Sequence, residues 1–84
     1  MKLDWKGRES GCSEARCNAT DGRSLDLAVT ELGYPHVGCC EILINVYKDG
    51  AWSKQIACFR VRMTIGRAQQ RAAKLAELLA PVID

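Results

Sequence analysis

No uninterrupted apolar stretch in this chain runs beyond a few residues, far short of the roughly 20 that cross a bilayer as a helix. A membrane partner is therefore not expected. Residues 1–7 alternate charged and apolar side chains and lack the apolar run of a secretory signal, so the expected location is cytoplasmic. Also missing are a P-loop, a dinucleotide fingerprint, a carboxylate dyad and a pair of tight metal-binding knuckles. Without them no catalytic residue, cofactor or metal site is expected, and the chain reads as a non-enzyme. There are no internal repeats and no low-complexity segment. At 84 residues the chain is too short for a two-domain enzyme. A hydrophobic fraction of 48% against 26% charged, with only two prolines, excludes a disordered tail and predicts one packed core.

Cysteine is the residue present in excess. Five stand at positions 12, 17, 39, 40 and 58, and an odd number without a secretion signal suggests reduced thiols. One reading makes them small buried hydrophobes. Another assembles a Cys3His zinc site from the C-x4-C pair Cys12 and Cys17 with His36, Cys39 and Cys40, which would make the protein a small zinc-stabilised adaptor. A disulfide between Cys12 and Cys17, or one across the later strands, is a third.

The strongest local signal is a hairpin. Cys40–Lys48 and residues 51–63 are rich in strand formers, and Asp49-Gly50 between them suits a type I′ turn. A two-residue turn pairs Lys48 with Ala51 and Tyr47 with Trp52. Parity then sends Ile42, Ile44, Val46, Ala57, Phe59, Val61 and Met63 to a core face, and Leu43, Asn45, Tyr47, Trp52, Lys54, Ile56, Arg60 and Arg62 to the other. Residues 64–80 read as a helix capped by Thr64 and closed by Pro81, with Ile65, Ala68, Ala72, Leu75 and Leu79 facing the core and Arg67, Arg71 and Lys74 on a basic side. Ala76, Leu78 and Val82 lie beside that apolar row, which leaves a monomer and a homodimer both open.

Upstream, Leu25, Leu27 and Val29 alternate as in a strand, while Leu25, Ala28, Val29 and Leu32 also fit a helix between Ser24 and Gly33. The strand is preferred, because a two-stranded sheet alone is marginal. Residues 13–20 supply another strand, and residues 1–12 read as a flexible arm, leaving 13–84 as the single domain. The expected architecture is α+β: a small antiparallel sheet of three to four strands with one long C-terminal helix packed on one face. An alternative has the arm, carrying Leu3 and Trp5, fold over the face away from the helix as a second small core, with Tyr47 and Trp52 then only a cross-strand pair that steadies the hairpin.

Net charge is only +2, yet it is unevenly distributed. Residues 1–44 hold five Lys or Arg against seven Asp or Glu; residues 45–76 hold seven against the single acid Asp49. Clustered cations beside aromatic rings are what unpaired nucleic acid asks of a protein surface. The candidate binding surface is accordingly Tyr47, Lys48, Trp52, Lys54, Arg60, Arg62, Arg67, Arg71 and Lys74. The expected function is a binding module that contacts nucleic acid or a nucleoprotein complex. The alternative is an inhibitor acting on a host protein by protein-protein contact, of the kind phages encode against defence systems, anti-CRISPR proteins included.

Two family patterns are partly matched. Gly33-Tyr34-Pro35-His36, the strand from Cys40, Asp49-Gly50, and Thr64 with Ala68, Ala72 and Ala73 resemble the second half of a double-stranded RNA-binding domain, with Tyr34 at the loop's proline position and Ile65-Gly66 at two lysine positions. That resemblance implies duplex RNA as the ligand. Lys48-Asp49-Gly50 and Trp52, followed by a helix from Thr64, are similar to the arm-type DNA-binding domain of tyrosine integrases, which implies a three-stranded sheet in the major groove.

Overall fold

A computed structural model describes residues 3–7, 11–19 and 22–82, without the side chain of Val82. Among them the elements are β1 (Lys6–Gly7), β2 (Cys12–Asn18), β3 (Arg23–Glu31), β4 (Cys40–Lys48), β5 (Ala51–Val61), helix α1 (Ile65–Leu79) and a 3-10 turn (Ala80–Val82). The strands form one antiparallel meander in the order β1-β2-β3-β4-β5. The α+β class with a single C-terminal helix on one face of the sheet holds. The strand number does not, since the described residues form five strands rather than three to four, and none of them forms a helix ahead of the sheet as a complete double-stranded RNA-binding domain would require.

The extra strand comes from residues 1–12, where an arm was expected. Lys6 pairs with Glu14 and Gly7 with Ser13, and Leu3 and Trp5 pack against the main core on the helix side. They do not cover the opposite face. Both sit at odd positions with Gly7, whose partner Ser13 faces the helix, so the alternation of β1 carries them to that side.

Residues 23–31 form a strand, paired along one edge with β2 and along the other with β4. Leu25, Leu27 and Val29 are completely buried and stand opposite Val46, Ile44 and Ile42 on β4. These six side chains each contribute up to about 1.5–3 kcal/mol by leaving water. Helix α1 crosses β3 and β4 and closes the core with Ala68, Ala72 and Ala76, all fully buried, while Ile65, Leu75 and Leu79 pack at its flanks. The cap at Thr64 forms as expected: its Oγ1 accepts from the Arg67 backbone N–H at 3.4 Å.

The hairpin turn is also as expected, with positive φ at Asp49 and Gly50. Its register is not uniform. Tyr47 opposes Trp52, but Val46 opposes Lys54 and Ile44 opposes Ala57, so β5 carries extra residues at Ser53 and Ile56. Each bulge reverses parity and the second restores it, which returns Ala57, Phe59 and Val61 to the helix side. Between the bulges Lys54 passes to the helix side and Ile56 packs on the main core, both away from the face parity gave them.

Because three alanines let α1 approach the sheet closely, an added side chain there has nowhere to go. Ala72→Leu is expected to lower the unfolding free energy by about 1–3 kcal/mol in urea denaturation, a large fraction of the stability of a domain this size.

Candidate functional site

The face of the sheet away from α1 is open, and its composition follows from the register. One row across it reads Asn18, Ser24, Tyr47, Trp52; the next Arg16, Asp26, Asn45, Gln55; the next Lys6, Glu14, Ala28, Leu43, Cys58; the last Cys12, Thr30, Glu41, Arg60. Its cations Lys6, Arg16 and Arg60 are matched in number by Glu14, Asp26 and Glu41. The open face is thus electrically balanced rather than basic.

Its aromatic pair is already engaged by the protein. The Trp52 indole donates Nε1–H to Asn45 Oδ1 at 3.3 Å. The Arg16 guanidinium lies 5.3 Å from the centre of the Tyr47 ring, and its Nε is 3.5 Å from Asp26 Oδ1. Together these make a cross-strand ladder over β2, β3, β4 and β5 that braces the hairpin. Trp52 still leaves 59% of its surface in water.

The nine candidate residues do not share one surface. Tyr47, Trp52 and Arg60 lie on the open face, and Arg62 on the bend after β5. Arg67, Arg71 and Lys74 stand on the solvent side of α1, beyond the opposite face of the sheet. Lys48 and Lys54 belong by register to that same helix side, at the hairpin end. All seven cations are exposed, and among the described residues none of them makes an ion pair. Five of the seven, Lys48, Lys54, Arg67, Arg71 and Lys74, therefore belong to the helix side, where Glu31 and Glu77 are the exposed acids on the elements. Arg67, Arg71 and Lys74 recur at steps of four and three and rise together by about 10 Å along one line of the helix.

Several exposed groups lie outside the nine candidate residues. Tyr34 is 94% and Val37 70% exposed on the loop between β3 and β4, which three backbone hydrogen bonds hold: Leu32 to Cys39, His36 to Gly33 and Cys39 to His36. Leu78 stands in line with the α1 cations and is 66% exposed. Arg16 showed nothing beyond strand alternation, and its role depends on a pairing that spans three strands. A groove of about 500 Å³ also runs between α1 and the residues Leu3 and Trp5.

The Cys3His set is not brought together. Five positions apart on one strand, Cys12 and Cys17 point to opposite faces, and no three His, Cys, Asp or Glu side chains among the described residues could hold a metal ion. All five thiols are free. Cys17 and Cys40 are core residues, the latter donating its thiol to the Met63 carbonyl at 3.3 Å. Burial raises both thiols above the ordinary range; at Cys17 a hydrogen bond with the Leu25 backbone offsets some of the rise, and at Cys40 Glu31 and Cys39 add to it. Comparison of the chain with protein-family models, curated proteins and solved structures gives no match.

Two outcomes follow from the thiols. Iodoacetamide at neutral pH is expected to label Cys58 first and to reach Cys17 and Cys40 only on unfolding, as read by peptide mass mapping. As pH rises through about 8.5, the unfolded chain loses thiol protons that the native state retains. Conformational stability is therefore expected to fall over that range, and to fall less in Cys17→Ala when the melts are compared.

Proposed function

We propose that this protein is a non-enzymatic binding module that contacts nucleic acid, alone or within a nucleoprotein complex, through the phosphate backbone and by its helix side. The observation that supports this reading is the set of five exposed, unpaired cations belonging to one side of the sheet, set against an open face whose charges balance. Arg67, Arg71 and Lys74 are the main contacts, with Lys48 and Lys54 extending them at the hairpin end. The line of three on α1 suits a run of phosphates, contacts that carry no sequence information themselves. Exposed Gln70, three residues from Arg67 and four from Lys74, is the neighbouring group of the kind that reads an adenine edge. The aromatic pair Tyr47 and Trp52 serves the hairpin, since the indole N–H and the tyrosine ring already have partners within the sheet.

Fluorescence anisotropy with labelled duplex and single-stranded oligonucleotides tests the reading. Three to five phosphate contacts give a slope of log affinity on log salt of roughly −3 to −4.5 on duplex. Arg67→Ala, Arg71→Ala and Lys74→Ala combined are expected to abolish most of the binding, while Trp52→Phe leaves it nearly unchanged. A lack of salt-sensitive binding at low ionic strength would overturn the proposal and favour action by protein contact alone. A loss of binding in Trp52→Phe, with the triple variant unaffected, would move the site to the open face.

A further inference from the structure

β5 is an edge strand of 11 residues, and among the described residues β4 is its sole neighbour in the sheet. Its two halves differ. From Trp52 to Ile56 the two bulges break the regular spacing, a device that makes an edge hard to extend. From Ala57 to Val61 the pairing with Ile44 to Cys40 is regular, so the outward N–H and C=O groups of this segment form an even row, unpaired among the described residues. The helix does not shelter it, because α1 lies over β3 and β4. Ala57, Phe59 and Val61 are consequently only half-buried on the helix side, while Cys58 and Arg60 are exposed on the open side.

We infer that Ala57–Val61 is a docking edge for an extended, acidic peptide segment of a partner protein, which adds to the sheet as a sixth strand. The occupant's chemistry follows from the two faces of β5. Its residues toward the helix side meet Ala57, Phe59 and Val61, and must be apolar. Its residues toward the open side meet Arg60, which makes no ion pair among the described residues although Glu41 opposes it on β4, with Arg62 one step further along. Those residues must be acidic. From Gly50 to Ala76 the chain contains six Lys or Arg and no Asp or Glu. A second copy docked by the same edge would therefore set cations against cations, which disfavours it. Main-chain bonds would supply most of the affinity and the alternating pattern the selectivity. This edge is separate from the phosphate-binding line on α1, and neither proposal depends on the other.

The test is a titration of the full-length, isotope-labelled protein with a capped peptide alternating valine and glutamate, read by amide hydrogen exchange. The glutamate peptide is expected to slow exchange at outward amides within Ala57–Val61. Arg60→Glu combined with Arg62→Glu is expected to weaken it by about tenfold and to confer binding of the corresponding valine-lysine peptide. The triple variant at Arg67, Arg71 and Lys74 is expected to bind the glutamate peptide as the wild type does. Absence of protection at these amides would overturn the inference, as would equal binding of the lysine peptide by the wild type. So would retained binding of a peptide N-methylated at alternate residues. Concentration-dependent protection of the same amides without peptide would replace the partner by a second copy of the chain.

Discussion

The structure depends on the seat of α1 against two strands through three alanines. Ala68, Ala72 and Ala76 present almost no side chain, so the helix backbone comes close to Leu25, Leu27, Val29, Ile42, Ile44 and Val46, and these nine residues are essentially sealed from water. That placement determines what remains outside. The cations of α1 must face solvent, the residues of β5 lie past the helix's cover, and none of the described residues covers the far side of the sheet. Even the polar margin of the interface is fitted to it, since Gln69 donates to the Ser13 hydroxyl at 2.9 Å and Ser13 is itself buried.

Charge is sorted by this packing more than by chain position. Read linearly, the second half of the chain is basic and the first mildly acidic. Folding interleaves them on the open face, where β2 and β3 bring Glu14 and Asp26 beside the cations, and separates them on the helix side. A mild average thus conceals one balanced face and one with unanswered positive charge. Long-range fields respond to such sorting, whereas net charge alone does not report it.

Much of the architecture was legible because period-two and period-3.6 patterns are local. The Asp49-Gly50 turn, the alternation of Ile42, Ile44 and Val46, the cap at Thr64 and the alanine-bearing stripe of α1 each have a nearby physical cause. What escaped was non-local. A two-residue strand such as Lys6–Gly7 has too few positions to show a period and forms because β2 offers it an edge. The bulges at Ser53 and Ile56 leave no mark in an alternation rule that assumes equal spacing, and they move Lys54 to the other side. The sequence could name candidate cations and aromatics but could not group them into a surface, because membership of one face depends on the register of β5 and on which side of the sheet the helix takes.

The two ends of the sheet are unlike in construction. At one end the β2–β3 and β4–β5 turns touch: the Asp49 N–H donates to the Gly22 carbonyl at 3.1 Å, Gly22 and Gly50 have positive φ, and a Cβ placed on Gly22 would lie 2.7 Å from Asp49 Oδ1. At the other end, residues 33–38 form a loop with every side chain in solvent. Inserted sequence at the first end would have to pull apart a pair of turns that brace each other, whereas at Val37 it would meet only water. The fold therefore offers one end as a natural place to carry added segments and holds the other fixed, an asymmetry that lineages lengthening this chain, or engineers grafting onto it, would be expected to follow.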